Sequence, residues 1–262
     1  MDRPPFKPSR RDGVRTSCGT GDPAVFSTDT TRAGRPCHVL KSSLTALAAL
    51  VFTIATVARA QDAGVRAAKA PPEGASNKHY ISNRPPLKPS PFVKLPIGNV
   101  EPRGWLREML VLEAKGMAGR LPEISKWCKI EGNAWTSKDG HGHSSWEEAP
   151  YWLKGYGDLG YVLKDESIMA ETKKWVDGIL ANQRDDGWFA PRELLKRENG
   201  KPDLWPPMIA LNVLQSWHEA TGDERVLPFM ANYFRWQQNL PDDQFLAGYW
   251  QKMRGGDNLE SV

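Results

Sequence analysis

Residues 146–189 read WEEAPYWLKGYGDLGYVLKDESIMAETKKWVDGILANQRDDGWF. Trp152, Leu153, Tyr156, Leu159, Gly160 and Leu163 recur at three- and four-residue intervals, the inward stripe of a helix ending near Leu163. Asp165 opens a second helix, where Ile168, Met169, Thr172, Trp175, Val176, Ile179 and Leu180 repeat at i, i+3, i+4, i+7. Asp186-Gly187 closes it with turn chemistry. The stretch is one helical hairpin with a polar, aromatic-rich loop at each end.

The pattern then repeats. Pro206 or Pro207 starts a helix carrying Ile209, Leu211, Val213, Leu214 and Trp217, and Thr221-Gly222-Asp223 makes the turn. Val226, Leu227, Phe229, Met230, Tyr233 and Phe234 follow, to about Gln238. Asp165-Glu166 aligns with Asp223-Glu224, Ile168 with Val226 and Trp175 with Tyr233, all at an offset of 58. A hairpin buries its apolar face only against neighbours, so repeated hairpins imply an array.

Upstream, Pro102 suits a first helical turn, and Trp105, Leu106, Met109, Leu110 and Leu112 recur at helical spacing. Residues Ala118 to Ser145 read as irregular, and a loop that long is uncommon without a function. Ser144 or Ser145 is the expected cap of the next helix, with Glu147 and Glu148 in its first turn. Near the end, Gly256-Asp257-Asn258 reads as a cap, with Leu259 and Val262 as first stripe residues of another helix. No strand alternation stands out. The expected fold is all-α: an (α/α) toroid of helical hairpins, incomplete at about half of a six-hairpin barrel.

Composition sets the rest. Leu44 to Val57 is an apolar run preceded by Lys41 and followed by Ala58-Arg59-Ala60, the layout of a signal peptide. It is shorter than the ~20 residues of a comfortable membrane span, although an uncleaved anchor is the alternative. The expected organisation is a disordered or mis-assigned leader at 1–41, a signal peptide at 42–60 cleaved near Ala60, a linker at 61–91 and the helical domain at 92–262. Export to the periplasm or the extracellular space follows from this reading. Arg10-Arg11 lies too far before the apolar run for a twin-arginine signal.

Residues 1–60 hold nine basic and four acidic residues, a charge of +5 against +4 for the whole chain, so the remainder carries about −1. No basic patch is left for a nucleic acid. Cys18 and Cys37 fall in the leader, which leaves Cys128 without an intramolecular partner and the domain without a cysteine cluster for a metal. All eleven tryptophans lie between Trp105 and Trp250.

Five segments carry a resemblance: GWLREMLVLEAKGMAGRLPE, GHSSWEEAPYWLKGYGDLGYVL, WVDGILANQRDDGWF, HEATGDERVLPFM and GGDNLESV. In this order and spacing, over about Pro96 to Val262, they resemble the β-L-arabinofuranosidase-like glycoside hydrolases, six-hairpin (α/α) barrel enzymes. The resemblance implies hydrolysis of glycosidic bonds in plant or algal polysaccharide. It also implies a cysteine nucleophile, a glutamate acid/base and a zinc held by cysteines and a glutamate. These belong to the later half of the family's domain, beyond Val262, and none maps onto a residue here. The chain also has no histidine in Trp205–Trp217, where the characterised branch carries one.

Loops that precede inner helices line the pocket of such barrels: Gly140–Glu148, Glu198–Trp205 and Gly255–Asn258. Glycoside cleavage needs two carboxyls at fixed separation. Glu147 or Glu148 is a candidate for one, with a distant partner, because side chains of adjacent residues diverge on a helix. The alternative for both is a first-turn acid that favours the helix dipole. His141 and His143 are candidates for sugar hydroxyls, with a solvated loop as the alternative and no third metal ligand in view. Trp146, Trp188 and Trp205 are candidates for stacking on a sugar ring and donating an N–H, against packing between hairpins. Asp257 is a substrate-side candidate as well as a cap residue, and Asp186 reads as a turn residue. Trp152, Trp175 and Trp217, on helical stripes, read as core. No cofactor is expected from these residues, and the expected partner is a polysaccharide or oligosaccharide, with an oligomer possible. Two other classes stay open. One is a polysaccharide lyase, with His143 or Tyr151 as base; the other is a non-catalytic glycan-binding helical-repeat module.

Overall fold

The computed structural model describes residues 69–70 and 74–262. The expected leader, the signal peptide, Cys18 and Cys37 lie outside the described residues, as does most of the first part of the expected linker. The described residues hold eight α-helices: α1 Trp105–Lys115, α2 Met117–Ile124, α3 Glu148–Leu163, α4 Glu166–Ala181, α5 Trp205–Thr221, α6 Val226–Gln238, α7 Tyr249–Met253 and α8 Gly255–Glu260. Among them there is no β-strand, only two isolated bridges. The architecture is an all-α toroid built from helical hairpins, α3–α4 and α5–α6 being two complete ones.

Hairpin boundaries follow from local chemistry. Lys164 adopts a left-handed conformation and ends α3, and the Asp165 carboxylate accepts the Ser167 and Ile168 amides at the start of α4. Gly222, with φ of 73°, ends α5 without the strain a side chain would bring. Asp223 then turns the chain, accepting the Trp217 indole N–H at 2.9 Å and the Arg225 amide at 3.1 Å.

The hairpins meet through their inner helices. α3 packs more extensively on α5 than on its own partner α4. Residues 58 apart, equivalent in the repeat, touch across this seam: Lys154 Nζ donates to Asn212 Oδ1 at 2.8 Å, and the Trp205 indole donates to Glu147. The inner helices therefore run side by side in register. Asn212 passes the contact on, donating to Ser261 at 3.2 Å as α8 takes the next inner position.

The core lies between inner and outer helices. Trp175 and Tyr233, equivalent in the repeat, are both fully buried, as are Trp135, Trp188 and Phe189. Truncating any one of these rings would cost about 3–5 kcal/mol. Trp152, Trp175 and Trp217 are core residues. Met169, Leu180 and Leu163 are half-buried against the same cluster. Gly187 sits where a Cβ would lie 2.4 Å from the Asn232 carbonyl, so the Asp186-Gly187 turn packs directly on α6.

Several expectations require correction. Ala118–Ser145 is not irregular throughout: α2 occupies its start, followed by a 3₁₀ turn at Lys126–Cys128. Gly119 and Pro122 disfavour a helix there, but packing wins: Leu121 leans on the core and the Trp152 indole donates to the Ala118 carbonyl at 3.0 Å. Helix α1 forms as expected, yet none of its residues is buried, and only Leu110 and Ala114 are packed against the core. Leu227 points outward, 57% exposed, because α6 turns Val226 inward instead. Gly256, Asp257 and Asn258 lie inside α8 rather than capping it. Its buried residue is Asn258, with Ser261 buried just beyond its end, while Leu259 and the following Val262 are exposed.

Residues 77–97 carry no helix but are tied to the end of α5. The buried Glu219 carboxylate accepts the Tyr80 hydroxyl and the Ile97 amide at 2.7 Å, and Lys94 Nζ lies 3.1 Å away. Burial pushes Glu219 up, but these three donors outweigh it and hold the carboxyl below its ordinary value of 4.5. A depressed folded-state value stabilises the fold above the ordinary value and stops doing so as pH falls through the folded one. Replacing Glu219 with Gln is expected to cost about 2 kcal/mol at pH 7. In urea titrations the gap to the parent protein should close below about pH 4.

Candidate functional site

The N-terminal ends of the inner helices carry the expected loops, and their side chains interlock there. Helix α5 enters this region buried. Two of its first three residues are Pro206 and Pro207, which have no N–H to satisfy. The third, Trp205, donates its amide to Asp203 Oδ1 at 3.1 Å. The other oxygen of Asp203 accepts the Trp146 indole N–H at 3.0 Å, from the loop before α3. In return the Trp205 indole donates to Glu147, at the start of α3. Each loop therefore holds the tryptophan of its neighbour.

A guanidinium covers each of these rings. Arg197 lies 4.6 Å from the Trp146 centroid and Arg254 lies 5.3 Å from that of Trp205. Trp205 is also met edge-on by Tyr151 at 5.8 Å and is almost fully buried. Trp146 and Trp205 thus have their N–H groups and one ring face occupied from within the protein. They act as ties between successive loops. Trp188 is fully buried in the core, with its N–H donated to Ala190 at 2.6 Å, and does not reach the site.

Four groups remain turned towards solvent at this end: the half-buried carboxylates of Glu147 and Asp257, the exposed Tyr151 phenol and the exposed Arg254 guanidinium. They are close enough to act on one another. Burial first, then the Glu147 charge, push the Tyr151 phenol up; Arg254 opposes this and Asp257 adds to it. This rim is the candidate site. It offers acceptors and donors of both signs around an aromatic ring, a set that suits vicinal hydroxyls.

The two adjacent glutamates part company. Glu147 pairs with Trp205, whereas Glu148 makes no such pairing and acts on Cys128, whose thiol is pushed up by burial, opposed by a hydrogen bond with Ser125 and helped by the Glu148 charge. Neither serine caps α3. Ser144 is left-handed, with φ of 60°, and Ser145 donates to Glu193 at 2.6 Å. Glu147 occupies the cap position without a side-chain hydrogen bond to the helix.

The two loop histidines also separate. His143 Nε2 donates to the Glu131 carbonyl at 2.9 Å, and Nδ1 lies 2.7 Å from the Ser144 hydroxyl. Its backbone bridges Gly132 and Ala134, and only glycine fits at position 142, where a Cβ would lie 2.3 Å from the Gly132 carbonyl. His143 is a fastener of the loop. His141 is exposed, fixed only by its amide to Asp139.

Arg254, Asp203 and Arg197 did not emerge from the sequence reading, and Tyr151 emerged only as a lyase base. The spacing of Arg254 to Trp205 and Asp203 to Trp146 was the available signal, once the inner helices are known to run in register. No three His, Cys, Asp or Glu side chains converge to hold a metal among the described residues. The zinc of the resembled family therefore has no ligand set in them.

The family model described as Beta-L-arabinofuranosidase, GH127 catalytic domain, matches residues 97–262. No curated protein and no solved structure matches the chain.

Asp203→Ala would strand two donors, the Trp146 indole and the Trp205 amide. It is expected to destabilise the fold by about 3 kcal/mol in urea denaturation. Tyr151→Phe, at an exposed hydroxyl, should stay within about 0.5 kcal/mol of the parent protein.

Proposed function

We propose, from the premise that this chain belongs to the GH127 β-L-arabinofuranosidase catalytic-domain family, that the rim formed by Glu147, Tyr151, Arg254 and Asp257 receives its carbohydrate. The family makes the protein glycoside hydrolase-like. The finer reading is that it acts on β-L-arabinofuranosyl side chains of plant or algal polysaccharide, after export directed by the apolar run at Leu44–Val57. The observation that carries this is convergence. The entries of α3 and α8 bring two carboxylates, a phenol and a guanidinium to one exposed end.

Each group has a distinct task. Arg254 lies over Trp205 and presents its N–H donors to sugar hydroxyls. Glu147, oriented by the Trp205 indole, and Asp257 accept from hydroxyls on the same ring. Tyr151 offers both a hydroxyl and an aromatic edge. Both carboxylates also belong to the residue type that general acid and base catalysis of glycosidic cleavage requires.

The lyase alternative asks Tyr151 to act as a base beside a cation. Arg254 supplies the cation, but burial and the neighbouring carboxylates push the phenol up, against that role. No described helix is long and apolar enough to cross a membrane.

Incubation with an aryl β-L-arabinofuranoside, a β-linked arabino-oligosaccharide and a uronate-containing polysaccharide separates the classes. Released arabinose is the expected product; an ultraviolet-absorbing unsaturated sugar would establish a lyase, and binding without product a glycan-binding module. Arg254→Ala is expected to weaken arabinoside binding about tenfold in calorimetry, with little change in melting temperature.

A further inference from the structure

Beside the rim stands a pair of aromatic rings that the proposed site does not use. Tyr249 is 65% and Trp250 57% exposed. They meet edge to face, with centroids 5.2 Å apart and planes at 76°, so ring faces remain open to solvent. Two adjacent large rings held in water are an unfavourable arrangement unless something comes to cover them.

Their exposure is built in by the backbone beneath. Gln251, on the opposite side of α7, is buried and donates to the Pro202 carbonyl at 3.2 Å. Gly248 approaches the loop before α5 so closely that a Cβ would lie 2.6 Å from Glu198 Oε2. Helix α7 is thus pinned to the loop that carries Asp203, and its outward side carries the aromatic pair. Trp250 is one turn from Arg254, whose amide donates to the Trp250 carbonyl at 3.0 Å. Residues four apart share a helical face. Trp250 therefore stands on the same side of the chain as Arg254, next to the rim.

We propose that Tyr249 and Trp250 form a second sugar-binding position, which takes the neighbouring residue of the polysaccharide chain while the rim holds the terminal one. This rests on the reading of the rim as the carbohydrate site. A sugar ring presents C–H groups on one face and hydroxyls at its edge. The open aromatic faces match the first, and the donors of Lys252 and Arg254 match the second. The continuity with Arg254 selects a connected oligosaccharide as the occupant.

The test is calorimetric titration of the full chain with L-arabinose, arabinobiose and longer arabino-oligosaccharides, comparing the parent with Trp250→Ala and Trp250→Tyr. The proposal expects affinity to rise with chain length in the parent. In Trp250→Ala the longer ligands should lose about tenfold while arabinose is unaffected, and Trp250→Tyr should recover most of the loss. Equal binding of long ligands by the parent and Trp250→Ala would overturn the second position and leave the rim standing. A melting temperature lowered by many degrees in Trp250→Ala would mean that the ring is packed within the protein, and would overturn it too. Failure of the parent to bind any of these sugars would overturn both the rim and the second position.

Discussion

A carboxylate buried between two loops must be satisfied from both, and Asp203 is satisfied in that way. One oxygen receives the first amide of α5 and the other the indole of Trp146. The pairing of Trp205 with Glu147 runs in the opposite direction. Leaving either donor unmatched in such surroundings would cost about 1–3 kcal/mol, more than an average contact contributes. The exchange therefore fixes the height of α3 against α5. With the height fixed, Lys154 falls opposite Asn212, and Trp175 and Tyr233 occupy equivalent core positions. The solvent-facing groups of the rim are those left over once these internal obligations are met.

Tryptophan in this fold has three kinds of environment, and residue type alone does not separate them. Trp152, Trp175 and Trp217 are stripe residues, and their burial follows from helical spacing. Trp146 and Trp205 lie in loops, where a sugar platform and a structural tie look alike in sequence. What separates them is the indole N–H, which finds a carboxylate some 57 or 58 residues away. Trp250 differs again, because its neighbour Gln251 takes the buried side of α7 and leaves the indole outside.

Much of the hairpin region was legible because its signals are local. The stripe from Trp152, the Asp165 cap, the Gly222 stop and the end of α6 near Gln238 each depend on residues within one or two turns. The misses came where a distant contact overrode a local cue. Ser145 turns to Glu193 instead of capping α3, and α2 forms despite Gly119 and Pro122 because Trp152 reaches its Ala118 carbonyl. Counting apolar residues turns Leu227 inward, although Val226 already fills that side of α6. For the site, only Glu147 and Asp257 among the candidate residues of the loops face the rim. Arg254 was invisible because a guanidinium on an indole leaves no trace in spacing until the partner helix is known.

The reciprocal ties have a consequence for how the array comes apart. In a linear stack of repeats whose interfaces are purely apolar, each unit melts nearly independently, with losses confined to its neighbour. Here a hairpin that opens takes with it the acceptor of the next hairpin's indole and exposes that hairpin's buried donor. Fraying at one unit is thereby transmitted as an unpaid polar debt to the following one. The ties thus couple the opening of the α3–α4 hairpin to that of α5–α6.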